Sequence, residues 1–207
     1  MHPNPVFHDA DTNRNLAFAR ERGFGVLAAS VSGAPLLSHV PFLLGADGTT
    51  ADLHLVRSNP IARALDAPLE VTLAVSGGDS YVSPDWYGLP DQVPTWNYVA
   101  VHLTGSLVLR PMAELRDLLD RQSAGYEARL LPKTPWTTAK MTPEVMDRLM
   151  RMIVPCRLHI TTVDGTWKLG QNKPDAVRRA AADSMDSHGF GSDVGTLADW
   201  MRAPRPK

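Results

Sequence analysis

"GVLAASVSGAPLLSHVPFLLGADGTTADLHLVR", Gly25 to Arg57, holds three apolar runs separated by two glycine-bearing turns. The runs are GVLAASV, PLLSHVPFLLG and ADLHLVR; the turns are Ser32–Ala34 and the stretch from Gly45 to Thr50. Short apolar segments recurring about every ten residues mark an antiparallel sheet or barrel. A parallel sheet would need a crossover of a dozen or so residues between them. LEVTLAVSG, Leu69 to Gly77, adds a strand, and DSYVSP extends it. VPTWNYVAVHLTG, Val93 to Gly105, continues through SLVLR as the next. There Val99, Val101 and Leu103 alternate toward a core, while Trp96, Tyr98, Ala100, His102 and Thr104 share the other face. CRLHITTVDGTWKLGQ, Cys156 to Gln171, is expected to be a hairpin folded at Val163–Thr166, because Asp-Gly is a strong turn signal. Gly77-Gly78 is also expected to be a turn.

Helical segments surround these strands. Asp11 caps a helix that carries Leu16, Phe18 and Ala19 and stops at Gly23. A short helix starts at Pro60, where a missing N–H costs nothing. Leu115, Leu118, Leu119 and Gln122 follow helical spacing within residues 112–130. Thr142 and Pro143 open another helix, and two more cover residues 173–185 and 195–203. The fold class is α+β, a mainly antiparallel, barrel-like β core with inserted and C-terminal helices. It is read as a single domain over residues 1–207, with a helical extension from about residue 174.

Composition narrows the function. Formal net charge is -1, no segment collects a basic run, and no helix-turn-helix signal is present, so direct DNA binding is not expected. The basic tail MRAPRPK is short and reads as a frayed end. The single cysteine, Cys156, allows neither an internal disulfide nor a cysteine zinc site, and it reads as structural. The polar start has no apolar signal region, and no apolar stretch approaches the ~18 residues of a membrane span. A cytoplasmic protein is the expectation. G-x-S-x-G, the P-loop and G-x-G-x-x-G are all absent, and Asp85 and Asp91 read as solvated loop residues, so no catalytic residue is identified. His39, His54 and His102 sit on three strands with differing faces, which does not suggest a metal cluster. A lone axial histidine for haem stays open.

Two stretches suit an anion. In LVRSNPIARAL, Arg57 closes a strand, Ser58 or Asn59 caps the following helix, and Pro60 sets its first turn. The first N–H groups of a helix lack internal partners and attract negative charge. TWKLGQNKPDAV repeats the pattern with Lys168, Gln171, Asn172 and Lys173 ahead of Pro174. Each also reads as an ordinary solvated cap. Between them, YVSPDWYGLPDQVPTWNY gathers Tyr81, Trp86, Tyr87, Trp96 and Tyr98, rings suited to a flat ligand or to a subunit interface.

SHVPF, HLVRSNP, YVSPDWY, VPTWNYVAVHLTG and KLGQNK, in that order from Ser38 to Lys173, resemble the motifs of the PaiB family, described as FMN-binding negative transcriptional regulators. The resemblance implies a split β-barrel similar to those of the pyridoxamine-phosphate oxidase and flavin reductase families. It also implies a homodimer with FMN at the dimer interface. Carried over onto this chain, Arg57, Ser58 and Asn59 take the phosphate. Lys168, Gln171, Asn172 and Lys173 close the groove from the same or the partner subunit. Trp96, Asn97 and Tyr98 line the ring, and Tyr81 and Ser83 of the YVSP motif join the cofactor-binding set. The role implied is a regulator or a flavin or redox sensor. The alternatives are a flavin reductase using NAD(P)H and a haem-binding split barrel.

Overall fold

The computed structural model describes residues 2–8, 10–31 and 33–204; Ser32 of the first turn and residues 205–207 of the basic tail lie outside the described residues. Six strands form a closed antiparallel barrel: β1 (Phe24–Ala29), β2 (Leu36–Leu44), β3 (Thr50–Val56), β4 (Leu69–Val82), β5 (Thr95–Leu109) and β6 (Ile153–Lys168). Their order is β1-β2-β3-β6-β5-β4, and β4 returns to β1 with Val26 opposite Ala74 and Ala29 opposite Val71. Closure removes the exposed strand edges that an open sheet would present. The opening stretch supplies β1 to β3, in register from Phe24↔Pro41 to Ala29↔Leu36 and from Phe42↔Leu53 to Leu44↔Ala51. β3 then pairs with β6 from Thr50↔His159 to Val56↔Ile153.

The chain divides into two compact units. The barrel unit comprises Ala19–Ala74 and Leu103–Thr162. Its core holds Leu27, Phe42, Leu53, Leu73, Leu103, Leu107 and Leu158, all essentially buried. Two helices are inserted between β5 and β6: α3 (Leu115–Glu127), which buries Leu115, Leu118 and Gln122, and α4 (Pro143–Met150). Thr142 stands at the N-cap of α4, but its side chain makes no cap bond. The single turn α2 (Pro60–Arg63) follows β3. Cys156 is buried on β6, and burial pushes its thiol up to about 12.

The second unit takes the residues up to Phe18, Val75–His102, and those from Val163 onward. It contains α1 (Thr12–Arg22) up to Phe18, opened by Asp11, whose Oδ1 accepts the Arg14 N–H at 2.7 Å. α5 (Asp175–His188) and α6 (Val194–Arg202) also belong here, burying Ala181, Ala182 and Met185 on one and Leu197, Ala198 and Met201 on the other. Trp167 anchors the unit. Its ring lies edge-on to Phe18 at 5.5 Å and Trp200 at 5.4 Å, and its Nε1 donates to Asn15 Oδ1 at 2.8 Å.

Two expected turns are not turns. Residues 163–166 do not fold a hairpin; they lie within the continuous β6. A tight Asp-Gly hairpin needs glycine at positive φ, and Gly165 is not among the described glycines that have it. It is glycine for room: an added Cβ would stand 2.1 Å from Asn15 Oδ1, the oxygen that accepts the Trp167 N–H. Gly77 and Gly78 likewise run inside β4, where a Cβ on Gly77 would meet the Phe18 ring at 2.9 Å.

Candidate functional site

The junction after β6 builds a cavity. Gln171 folds back over the turn: its Oε1 accepts the Leu169 N–H at 2.8 Å, and its Nε2 donates to the carbonyls of Trp167 and Val6. The Lys173 N–H closes on the Gly170 carbonyl at 2.9 Å, and Gly170 supplies the positive φ of 76° that the turn requires. With Gln171 spent on the turn, Lys168, Asn172 and Lys173 line a cavity of about 380 Å³. Thr95 and Asn97 of β5 and Tyr87 of the aromatic loop complete much of its wall.

The charges here are held by neutral groups. Lys168 Nζ donates to Thr95 Oγ1 at 2.5 Å, and Lys173 Nζ donates to Gln92 Oε1. Burial lowers the Lys168 pKa below its ordinary 10.5. Lys173 Nζ also lies 5.1 Å from the centre of the Tyr87 ring, a cation–π distance. Asp91, at a positive φ of 56°, is the carboxylate on the cavity wall. Two ammonium groups, an Asn172 amide without a hydrogen bond among the described residues, and aromatic walls suit a ligand with a negative group on an apolar body.

The junction after β3 differs. Arg57 Nε donates to the Arg151 carbonyl at 3.1 Å and Nη2 to the Ile153 carbonyl at 3.4 Å, while Ser58 is exposed. Asn59 Oδ1 accepts the Ile61 N–H at 2.9 Å, and its Nδ2 donates to Ser38 Oγ at 3.0 Å. Asn59 is therefore a cap first, on a helix of four residues. These three residues belong to the barrel unit, and Lys168 to Lys173 belong to the other.

Pleating separates the ring candidates. Asn97 is 1% exposed, with its Nδ2 3.3 Å from Met201 Sδ, and it lines the cavity. Trp96 and Tyr98 face the opposite way. Trp96 lies edge-on to Tyr81 at 6.4 Å and to Phe190 at 5.6 Å, and Tyr81 stacks on Phe190. Ser83 Oγ accepts the Asp85 N–H at 3.3 Å and so caps the short helix Pro84–Tyr87. Sequence reasoning missed Thr95, Gln92 and the N-terminal His2, Asn4 and Phe7 as cavity residues, and Phe190 as a ring partner. Thr95 and Gln92, both inside the quoted aromatic stretch Tyr81–Tyr98, carried the local signal. Among the described residues no group of three or more His, Cys, Asp or Glu could hold a metal ion. No helix among them is long and apolar enough to cross a membrane.

A family model described as "Putative FMN-binding domain" matches residues 1–162. The chain belongs to this FMN-binding family, and FMN is its cofactor. The match stops before Lys168. The protease synthase and sporulation protein PAI 2 of Bacillus subtilis, a PaiB protein, is 28% identical over 158 residues, covering 75% of each chain. Among solved structures, the FAD and heme binding protein from Mycobacterium smegmatis superposes with a TM-score of 0.56 at 15% identity, over 88% of this chain and 80% of its own. A flavocytochrome from Azotobacter vinelandii gives 0.57 at 14%, over 82% and 73%. These two likenesses establish the split-barrel fold. The donor set fits FMN: lysines and an amide suit its negative groups, and the cavity volume falls within the roughly 300–1,000 Å³ of ligand sites.

Proposed function

We propose that the protein is a cytoplasmic FMN-binding homodimer acting as a flavin- or redox-responsive regulator. The observation that carries this reading is the cavity at the end of β6, where the Lys168 and Lys173 ammonium groups donate to neutral oxygens. Bound FMN supplies reversible hydride and electron chemistry on its ring. Lys168 and Lys173 hold positive charge where reduction places negative charge on the flavin, and Asn172 donates beside them. Arg57 and Ser58 keep donor atoms that their turn leaves over for an anion, and Asn59 holds that turn in shape. Trp96 and Tyr98, on the face of β5 away from the cavity, and Tyr81 beside Trp96 form the subunit seam. The regulator role rests on the family resemblance. The near-neutral charge favours control through another macromolecule over a direct grip on DNA.

The test is an FMN titration followed by flavin absorbance, with the mass in solution measured alongside. Uptake of one FMN per chain by a particle of twice 22.6 kDa is expected. No uptake, or a monomer that binds FMN fully, overturns the reading. A Soret band on adding haem would move it to haem binding, and sustained NAD(P)H consumption would move it to flavin reduction.

A further inference from the structure

Gln92 stands just ahead of β5 and uses one amide in two directions. Its Oε1 accepts from the Lys173 ammonium, and its Nε2 donates to the Pro90 carbonyl at 2.9 Å. Asp91, at a positive φ of 56°, makes the bend between Pro90 and Gln92. Asp91 and Val93 are exposed, while Gln92 is half-buried and lines the cavity at the end of β6. Gln92, Thr95, Lys168 and Lys173 all belong to the second compact unit.

A lysine ammonium rides on a flexible four-carbon stem, and holding it in one place costs rotamer entropy. Lys173 is held from two sides, by the Gln92 oxygen and by the face of the Tyr87 ring. Neither side carries a charge. Gln92 is an amide, and burial raises the pKa of the Tyr87 hydroxyl, which keeps it a neutral phenol. Lys168 is treated alike, with the Thr95 hydroxyl as its acceptor. Asp91, the carboxylate on the same wall, forms an ion pair with neither lysine among the described residues.

A neutral acceptor fixes the direction of an ammonium and leaves its charge and two N–H groups for a ligand. A carboxylate in the same place would fix it as well but cancel the charge. The wall sets Lys168 and Lys173 against Asp91, an excess of one positive charge that a second acid would remove. An oriented and uncancelled charge is what best stabilises an anion at a site that excludes water.

We propose that Gln92 is a positioning residue of the anion site: braced on Pro90, it holds the Lys173 ammonium at the cavity wall, and its neutrality leaves that charge to the negative group of FMN. The identity of the anion rests on the FMN reading; the hold on Lys173 rests on the hydrogen bonds alone.

Two readouts on the full chain test it. One is FMN affinity by absorbance titration. The other is the rate at which acetic anhydride acetylates Lys173 without FMN, followed by peptide mass spectrometry with Lys168 as the internal reference. Gln92→Ala is expected to weaken FMN at least about fivefold and to speed Lys173 acetylation at least about threefold, as one hydrogen bond to a charged group is lost. In a Lys173→Ala background the same change should move FMN affinity by less than about twofold, because its effect passes through Lys173. Gln92→Glu keeps an acceptor oxygen in place, so it should leave Lys173 no more reactive than in wild type yet weaken FMN at least about tenfold. Equal acetylation of Lys173 in wild type and Gln92→Ala overturns the proposal. So does a fivefold loss that persists without Lys173, tighter FMN binding by Gln92→Ala, or full affinity in Gln92→Glu. Wild-type protein that takes up no FMN overturns the FMN reading instead, and the acetylation rates still decide whether Gln92 holds the ammonium.

Discussion

The junctions at Arg57–Pro60 and Lys168–Pro174 are written alike and used differently. Each runs from a strand end through a basic residue and an asparagine to a proline that opens a helix. In the first, Asn59 spends its amide on the cap and Arg57 spends two nitrogens on backbone carbonyls. In the second, Gln171 takes over the turn, leaving Asn172 and both lysines to face a cavity. The helices differ too: four residues after Asn59 and fourteen after Pro174. The lesson concerns polar side chains at a turn. One that satisfies the backbone is lost to a ligand, and an extra amide nearby decides which residues remain for binding.

Removing both lysines should break the comparison most strongly. Lys168→Ala with Lys173→Ala should raise the FMN dissociation constant about 100-fold, near 2.7 kcal/mol, as two charge-assisted contacts are lost. An absorbance titration showing less than a threefold change would remove this cavity from the site. Gln171→Leu should lower stability by about 2 kcal/mol in urea unfolding, because it strips the Leu169 N–H of its partner. Unchanged stability would mean that Gln171 does not build the turn.

Asn59→Ala and Asn172→Ala sharpen the contrast. The first should cost about 1 kcal/mol of stability through the lost cap. The second should leave stability unchanged and weaken FMN severalfold. Reversal of that pattern would exchange the roles of the two junctions.

The smallest effect is on pH. The folded pKa of Lys168 is depressed by burial, so between that value and 10.5 the unfolded chain binds more protons than the folded one. Stability contributed by this group therefore rises with pH across that window. FMN affinity should fall over the same window as the ammonium is lost. Lys168→Arg, which stays charged, should abolish that affinity loss in titrations at stepped alkaline pH.

Much of the barrel was legible locally. Glycine turns bracket β1 to β3, alternation marks Val99, Val101 and Leu103 as core, and Asp11 and Asn59 act as caps. Proximity in the chain suffices for such features. Gly165 was misread because its reason lies with Asn15, 150 residues away in sequence. Comparable separations, of over 100 residues, hid the Val6 carbonyl that Gln171 reaches and the Phe190 ring that stacks on Tyr81.

The amino-acid order alone determined most of the strands and helix starts, because backbone preferences and side-chain alternation act over a few residues, and its motifs carried the family resemblance. Tertiary structure decided which polar atoms are spent and which face a cavity. A hydrogen-bonding group has only so many partners, and which ones it meets depends on segments that the chain brings together only by folding.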